Sequence, residues 1–264
     1  MKIILSGYGK MGRLIEQRAM ERGHEIIAVI DPAVKKTAGG ANAFATIADF
    51  GKQSGGKCGG GTVAIDFTRP DVAADNITAF AEMRIPVVTG TTGWYDRLDE
   101  VGAFVNSRKS ALLWASNFSI GVNLFYRIAA YCARLIDAYG EYDAAGYEIH
   151  HNQKADSPSG TAKTLAETVL KNMKRKTAAV WDKLDRPPAP HEIHFSSLRV
   201  GAVPGVHALV FDSGADTIEI KHSVRNRDGL VSGAIDAAQW LVKAVEAGRH
   251  GVFTLDDILG EVNE

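Results

Sequence analysis

Short apolar runs alternate with amphipathic stretches through the first 118 residues of the chain. The runs KIILS (2–6) and EIIAVI (25–30) have the length of buried strands. Between them, apolar positions recur at helical spacing over 10–23, and Gly23 marks the end of that helix. Strands separated by single helices are typical of βαβ units, so the pattern predicts a parallel sheet covered on both faces. Further strands are predicted over 62–67, 85–90 and 111–116, and further helices over 71–83 and 95–108.

The pattern changes after about residue 120, where strand-like runs begin to follow one another directly. Successive strands predict a mixed or mostly antiparallel sheet packed on helices. The fold class is therefore α/β: a Rossmann-type domain over 1–118, joined by about 235–264, and an α+β domain over 119–234 for substrate binding and oligomerisation. The second half is predicted to contain strands near 143–150, 193–200, 207–213 and 217–224, and helices over 120–138, 160–175 and 230–247.

Three further segments complete the outline. The glycine-rich stretch 51–62 is predicted to be a surface connection, and the proline-rich stretch 181–192 a loop. The C-terminal GVFTLDDIL is expected to return to the first domain, with Thr254 and Asp257 spaced as a capping box. Hinges are expected near 118–121 and 228–234, because hydride transfer requires two bound ligands to meet.

Composition narrows the function classes. The chain has 264 residues, of which 45% are hydrophobic and 23% charged, as in ordinary globular proteins. A formal net charge of −1 argues against nucleic-acid binding, although it permits a local site for a small anion. No run approaches the ~20 apolar residues that span a bilayer, and the first apolar run ends too early for a signal peptide. We expect a cytoplasmic protein without membrane or nucleic-acid partners.

The first strand is followed by a glycine motif of the form GxGxxG, formed by Gly7, Tyr8, Gly9, Lys10, Met11 and Gly12. In this context Gly7 permits a tight turn, Gly9 a close approach to pyrophosphate, and Gly12 close packing of helix on strand. The helix N-terminus presents free N–H groups to the phosphates. A dinucleotide-binding site is therefore predicted at this turn.

An acidic residue, Asp31, ends the second predicted strand, where such a residue binds the adenosine ribose hydroxyls. A carboxylate there repels the 2′-phosphate of NADP, and Pro32 occupies the next position instead of an arginine. Lys35 and Lys36 still lie within reach of that phosphate in the sequence. The residues favour NADH and leave NADPH open.

A loop of proton-transfer residues follows the strand near 143–150. His150 and Lys154 are suited to passing protons near neutral pH, provided that the environment of the lysine lowers its pKa. Ser159, Gly160 and Thr161 then begin a predicted helix, whose N-terminus suits a carboxylate or simply an N-cap. Beside a nicotinamide site, this pattern indicates reduction of a small carboxylated substrate.

Seven motifs distributed from residue 7 to residue 227 make the resemblance specific. Together they are similar to the dihydrodipicolinate reductase (4-hydroxy-tetrahydrodipicolinate reductase) family of lysine and diaminopimelate biosynthesis. The resemblance implies a homotetramer that reduces a cyclic unsaturated imine dicarboxylate with NADH or NADPH. The motifs are GYGKMGR, AIDFTRP, VTGTTGW, ASNFSIGVN, EIHHNQKADSPSGTA, RVGAVPGVH and KHSVRNR.

The resemblance also implies roles for individual residues. His150 and Lys154 match the catalytic pair, with Lys154 as the expected proton donor. The expected substrate contacts are His151, Lys154, Ser159, Gly160, Thr161 and Arg227. The expected contacts on the nicotinamide side are Gly90, Thr92, Ala115, Ser116, Asn117 and Phe118, in segments that follow predicted strands.

Two departures from the family bear on the cofactor. Lys10 stands where many relatives have arginine, and Asp31-Pro32 replaces an acidic-arginine pair that some relatives have. Both weaken any inference that the chain prefers NADPH.

Four alternatives compete with this interpretation. A thiol-dependent dehydrogenase is disfavoured, because Cys58 lies in a glycine-rich stretch and Cys132 in an apolar helical pattern. The segment HEIH (191–194) lacks the HExxH spacing of a metal site, so no metal is expected. Another Rossmann oxidoreductase would act on a different substrate and would give Ser159–Thr161 no role. An NAD-sensing regulator without catalysis would give Lys154 no role.

Overall fold

A computed structural model describes residues 1–55 and 58–260. The chain divides into two compact units. Unit 1 comprises Met1–Ser119 and the segment that begins at Asp228, and unit 2 comprises Ile120–Arg227. Within the described ranges, no helix combines the length and the apolar character needed to cross a bilayer.

Twelve strands and eight α-helices make up the described part of the chain. The strands are β1 (Lys2–Ser6), β2 (Glu25–Ile30), β3 (Asn42–Phe44), β4 (Thr62–Asp66), β5 (Val87–Thr89), β6 (Ala111–Trp114), β7 (Asp143–His150), β8 (Ala178–Trp181), β9 (Glu192–Arg199), β10 (Val206–Asp212), β11 (Thr217–Ser223) and β12 (Gly251–Phe253). The helices are α1 (Lys10–Glu21), α2 (Ile47–Ser54), α3 (Pro70–Glu82), α4 (Leu98–Ser107), α5 (Ile120–Asp137), α6 (Gly160–Asn172), α7 (Asp228–Glu246) and α8 (Leu255–Leu259), with a 3-10 turn at Tyr95–Arg97.

Unit 1 is the expected Rossmann-type domain. Its seven strands are all parallel, in the order β12-β6-β5-β4-β1-β2-β3. Successive side chains of a strand point to opposite faces, so Ile3 and Leu5 of β1 join one core while Ile4 joins the other. Helices α1 and α7 contribute to the first core, and α3 and α4 to the second. Both faces are therefore covered, and the carboxyl ends of the strands remain as the edge on which loops carry function.

Unit 2 has a mixed sheet in the order β11-β10-β7-β9-β8. The β10–β11 and β10–β7 pairs are antiparallel, whereas β7–β9 and β8–β9 are parallel. Its core forms where Phe195, Leu209 and Phe211 pack with apolar residues of α5 and α6. This arrangement confirms the predicted mixed sheet and places β7 at its centre.

The prediction for 51–62 was wrong at its start, because α2 continues through residues 51–54. Thr46 caps this helix by accepting a hydrogen bond from Asp49 N–H, and Ile47 and Phe50 bury its inner face. The helix ends at Gly55, whose φ of 65° is the left-handed conformation typical of a C-terminal cap. Residues 56 and 57 lie outside the described part.

The C-terminal return to unit 1 is confirmed: β12 pairs with β6, and Thr254 and Asp257 form the capping box of α8. Unit 2 ends at residue 227 rather than near 234, because α7 packs whole against unit 1 through Ala234, Leu241 and other buried residues. The two crossings between units, after 119 and after 227, lie close to the expected hinges.

Candidate active site

The glycine turn between β1 and α1 shows which glycines the fold itself requires. Gly7 has φ +87°, and a Cβ there would lie 2.4 Å from the Phe67 carbonyl oxygen. A Cβ on Gly12 would lie 2.2 Å from the Gly7 carbonyl oxygen. Gly9 differs, because a Cβ there would meet nothing within 4 Å. The fold needs Gly7 and Gly12 for backbone packing, whereas Gly9 leaves open space beside the helix N-terminus.

Asp31 is held against this turn at the end of β2. Its Oδ2 accepts a hydrogen bond from Tyr8 N–H at 2.8 Å, and its Oδ1 accepts one from Ala33 N–H at 2.8 Å. The carboxylate is only half-buried, so part of it remains open to a ligand. Its position beside a glycine turn and a helix N-terminus is the one that a ribose-binding residue requires.

An open cleft of about 350 Å³ lies at the carboxyl ends of the central strands of unit 1. It brings together five predicted cofactor residues, namely Gly9, Lys10, Met11, Gly90 and Thr92. Gly90 is fixed by packing, since a Cβ there would lie 2.2 Å from the Phe67 ring. The cleft also contains Phe67, Thr68, Pro70 and Thr91, which were not predicted as cofactor contacts. The motif AIDFTRP could have identified the first three, because it ends the strand next to the one that carries the glycine turn.

A buried carboxylate, that of Asp66, organises the floor of this cleft. It accepts hydrogen bonds from Ser6 Oγ at 2.7 Å, Thr68 Oγ1 at 2.9 Å and Thr91 Oγ1 at 3.0 Å. Burial raises the pKa of Asp66, while these hydroxyl donors oppose the rise. Thr68 and Thr91 are thereby fixed where they line the cleft.

The 115–118 segment follows β6, with Ala115 and Asn117 half-buried and Ser116 exposed. Asn117 Oδ1 accepts a hydrogen bond from Ser119 N–H at 2.9 Å. Phe118 is only 1% exposed and belongs to the hydrophobic core, so its ring is not presented to a ligand. Its carbonyl oxygen packs against Gly233, where a Cβ would lie 1.8 Å away. Any cofactor contact by Phe118 is therefore limited to its backbone.

In unit 2, β7 delivers Glu148 and His150 to the same face of the sheet, two residues apart. Glu148 is fully buried and pairs with the Arg199 guanidinium, whose Nη2 lies 3.0 Å from Oε1. Burial opposes ionisation of this carboxyl, but hydrogen bonds from His207, Ser159 and Arg199 outweigh it and hold the pKa of Glu148 well below its usual range. Glu148 is thus a carboxylate at neutral pH.

His150 is buried, and its Nδ1 lies 3.3 Å from Glu148 Oε2. Burial lowers the pKa of His150 to about 4, against the opposing attraction of Glu148. The imidazole is therefore uncharged at neutral pH, which makes it a poor proton donor.

The loop after β7 holds the other predicted substrate residues. Lys154 is half-buried, and its Nζ pairs with Asp156 Oδ1 at 2.7 Å. His151 is half-buried at the start of the loop. Ser159 is the N-cap of α6, and its Oγ accepts a hydrogen bond from Ala162 N–H at 3.1 Å. The N–H groups of Gly160 and Thr161 begin the helix and have no partner within it.

Arg227 is not brought into this group by the described contacts. It is exposed and lies at the last position of unit 2. Its proposed substrate contact stays a prediction.

Three residues of the cluster were missed as functional candidates: Glu148, Arg199 and His207. Ligand atoms of Glu148, His150 and His207 lie within 4.8 Å of one another, as in a metal-binding group. The Arg199 guanidinium already neutralises the carboxylate and disfavours a second cation there. Glu148 and His207 are directly paired across β7 and β10, a register that the sequence does not reveal.

Comparison with known proteins decides the family. The profile of the dihydrodipicolinate reductase N-terminus matches residues 1–118, and that of its C-terminus matches residues 121–259. The chain belongs to the dihydrodipicolinate reductase family. It is 36% identical over 262 residues to the 4-hydroxy-tetrahydrodipicolinate reductase of Christiangramia forsetii, covering 99% of both chains. It is 33% identical to that of Archaeoglobus fulgidus, covering 98% of this chain and 100% of the relative.

Solved structures support the fold of this family. A dipicolinate-bound dihydrodipicolinate reductase from Paenisporosarcina sp. TG-14 aligns with a TM-score of 0.77 at 21% identity, over 98% of this chain and 99% of that chain. An amine dehydrogenase from Mycobacterium smegmatis aligns with a TM-score of 0.62 at 11% identity, over 97% and 95%. The fold is thus shared with this amine dehydrogenase.

Proposed function

We propose that this member of the family is a 4-hydroxy-tetrahydrodipicolinate reductase of lysine and diaminopimelate biosynthesis. Its substrate loses water to give dihydrodipicolinate, which hydride and a proton then reduce to tetrahydrodipicolinate. The observation that carries the proposal is that His150 at the end of β7, Lys154 in the loop after it and the start of α6 lie within fifteen residues of one another. Curated relatives that match nearly the whole chain bear the same activity in their names.

The chain has a site that fits a nicotinamide dinucleotide. The open space at Gly9, the α1 N-terminus and the half-buried Asp31 suit pyrophosphate and ribose. Reduced nicotinamide supplies the hydride when it is bound. We assign the contacts on that side to Gly90, Thr92 and the 115–118 segment, with Phe118 acting through its backbone.

Lys154 is the proposed proton donor. Its Nζ pairs with Asp156 and its side chain is 21% exposed, whereas His150 is uncharged near neutral pH. A neutral imidazole is a poor proton donor, so we assign His150 to orienting the substrate or accepting a hydrogen bond. The Lys154 proton and the hydride together account for the two-electron reduction.

The α6 N-terminus is the proposed carboxylate site. The N–H groups of Gly160 and Thr161 are available there, and the helix dipole favours an anion. Ser159 contributes by capping the helix, because its own N–H and hydroxyl are both directed to Glu148. His151 and Arg227 are assigned to the substrate on the family resemblance alone.

A preference for NADH is proposed from Asp31. Its two backbone hydrogen bonds fix a negative charge beside the glycine turn, where the 2′-phosphate of NADPH would be repelled. Lys35 and Lys36 are exposed on the following loop and permit some use of NADPH.

A homotetramer is proposed from the family resemblance, with a cytoplasmic location. An exposed apolar stripe on α5, defined by Leu124, Ile128, Tyr131 and Leu135, supports a subunit interface on unit 2. These residues recur at helical spacing on one face and are 45–58% exposed. A contiguous apolar stripe of this kind is typical of an interaction surface.

The proposed function is tested with freshly generated 4-hydroxy-tetrahydrodipicolinate, added separately with NADH and with NADPH. We expect oxidation of both cofactors, with the higher kcat/KM for NADH. Failure to oxidise either cofactor, while the protein binds NADH, would refute the reductase assignment.

A further inference from the structure

The fully buried carboxylate of Glu148 contacts two parts of the proposed substrate site, namely the start of α6 and His150. Its Oε1 accepts hydrogen bonds from Ser159 N–H at 3.0 Å and from Arg199 Nη2 at 3.0 Å. Its Oε2 accepts a short hydrogen bond from the Ser159 hydroxyl. Both polar donors of the α6 N-cap therefore end on one carboxylate. The position of the helix start, with the free N–H groups of Gly160 and Thr161, depends on this anchor.

The same carboxylate faces the proposed catalytic histidine. Glu148 Oε2 lies 3.3 Å from His150 Nδ1. A carboxylate beside one imidazole nitrogen attracts the proton to that nitrogen and leaves the other with its lone pair. The other nitrogen, Nε2, lies beside Gly205, where a Cβ would be 3.2 Å away. The two groups are not aligned as a hydrogen bond, so the charge of Glu148 favours the tautomer with a proton on Nδ1 through its proximity.

His207 completes the anchor from the neighbouring strand. It is buried, and the β7–β10 register pairs it directly with Glu148. Its Nε2 lies 3.2 Å from Ser159 Oγ and 3.4 Å from Glu148 Oε2. The Ser159 hydroxyl donates to Glu148 and accepts from Ala162 N–H, so its remaining lone pair suits a proton on His207 Nε2. The serine hydroxyl is then saturated and has no capacity left for a ligand.

We propose that Glu148 and His207 are positioning residues of the substrate site, through which one buried charge fixes both the His150 tautomer and the start of α6. They touch residues of the site rather than the substrate. The inference rests on the proposed function and deepens it, because it explains how a catalytic histidine and a carboxylate site are held by a single group. It predicts that the His150 tautomer and dicarboxylate binding at the start of α6 change together when Glu148 is substituted.

The test compares Glu148→Gln with Glu192→Gln, a control that removes another largely buried carboxylate of unit 2, paired with Arg186. Pyridine-2,6-dicarboxylate serves as the probe of the carboxylate site. We expect Glu148→Gln to weaken its binding and to lower kcat/KM, each by about 10- to 100-fold, with NADH affinity unchanged. Glu192→Gln is expected to keep both values within about twofold of the unaltered protein.

Nitrogen-15 NMR of labelled histidine gives a readout that does not require turnover. The His150 signals are identified by their loss in His150→Asn. At pH 7 we expect the proton on Nδ1 in the unaltered protein and a mixed or reversed tautomer in Glu148→Gln. A purely structural Glu148 would leave the tautomer unchanged in any variant that folds.

His207 provides a second route if Glu148→Gln does not fold. His207→Leu removes the Nε2 donor at similar volume, whereas His207→Gln restores an N–H donor. We expect His207→Leu to weaken dicarboxylate binding about tenfold and His207→Gln to recover most of it. Equal binding by the two His207 variants, or an unchanged tautomer in Glu148→Gln, overturns the proposal. If the unaltered protein lacks reductase activity, the proposed function is refuted. The His150 tautomer, which is measured without turnover, then still tests the positioning role of Glu148.

Discussion

Lys154 and His150 lie four residues apart, yet their surroundings differ. Lys154 is half-buried, and its Nζ pairs with Asp156 Oδ1 at 2.7 Å. His150 is 8% exposed, and burial lowers its pKa to about 4. Burial therefore reinforces the neutral form of His150, which leaves Lys154 as the proposed proton donor.

Replacing Lys154 with alanine is expected to reduce kcat by roughly 10²-fold or more, because the proton donor is lost. Cofactor affinity should change little, since Lys154 lies in unit 2 and the glycine turn in unit 1. Steady-state kinetics and NADH titration provide the measurements. Lys171→Ala, which removes an exposed lysine from the last turn of α6, is the control. Turnover equal to that of the control would remove Lys154 from the mechanism.

Acidification should destabilise the fold through His150. Burial lowers the pKa of His150 to about 4 in the folded protein, against about 6.5 in the unfolded chain. The stability that depends on the neutral imidazole is therefore fully present above about pH 6.5 and is lost as the pH falls from about 6.5 to about 4. The loss amounts to at most about 3 kcal/mol of unfolding free energy. Urea unfolding from pH 4 to pH 7 should show a steeper rise in stability for the unaltered protein than for His150→Asn.

His24 and His222, whose pKa values burial also lowers, give the same background slope in both proteins. Identical slopes would show that His150 is not held in its neutral form.

Asp31→Ala should weaken NADH binding more than NADPH binding, because only NADH has a free 2′-hydroxyl for the carboxylate. Calorimetric titration of the two cofactors measures the difference, with exposed Asp99→Ala as control. Equal losses for both cofactors would contradict the ribose assignment.

At the scale of elements, the turn before α1 contains two kinds of glycine. The fold requires Gly7 and Gly12, whereas we assign Gly9 to the ligand. Gly12 packs against the Gly7 carbonyl, whereas Gly9 adopts φ −73° and faces open space. The Gly9 backbone is extended, with φ −73° and ψ −154°, so alanine there avoids the left-handed strain that it would meet at Gly7. The chain therefore offers two matched substitutions three residues apart with different expected effects.

Gly9→Ala should leave the unfolding free energy within about 0.5 kcal/mol of its original value and weaken NADH binding, because the methyl group occupies the space next to the helix N-terminus. Gly12→Ala should cost about 1–3 kcal/mol through overpacking. Chemical unfolding and NADH titration of both variants check this. A Gly9→Ala protein that binds NADH normally would show that the open space is not the phosphate site.

The sequence predicted elements with a strong apolar pattern well, including the short strands β5 and β6, and missed three short edge strands. The strands β1, β2 and β7 and the helices α1, α5 and α7 have enough turns or alternations for their apolar pattern to be recognised. The strands β3, β8 and β12 have only three or four residues, and sheet pairing rather than pattern defines them. Motifs predicted the cofactor cleft because GxGxxG and the strand-end loops are local in sequence. The Glu148–His207 pair depends on the register of β7 with β10, which no local pattern encodes.

At the scale of the whole molecule, each unit has its own core and its own candidate site. The cofactor cleft lies in unit 1, and the His150–Lys154 loop lies in unit 2. Unit 2 also presents the apolar stripe of α5, which its own core leaves exposed. Substrate chemistry and subunit association are therefore assigned to the same unit.

Ile128→Lys should disrupt association by placing a charge in the middle of the stripe. Sedimentation is expected to show tetramers for the unaltered protein and smaller species for the variant. Met20→Lys, which changes an exposed apolar residue of unit 1, is the control. A tetramer that persists in Ile128→Lys would exclude this stripe as the interface.

The central claim, that this chain reduces a cyclic imine dicarboxylate with nicotinamide hydride, is tested most directly by isotope transfer. The enzyme is mixed with freshly generated 4-hydroxy-tetrahydrodipicolinate and NADH carrying two deuterium atoms at C4, and the product mass is measured after one turnover. The account predicts tetrahydrodipicolinate that contains one deuterium. Oxidation of the cofactor without deuterium in the product, or no oxidation at all, would contradict it.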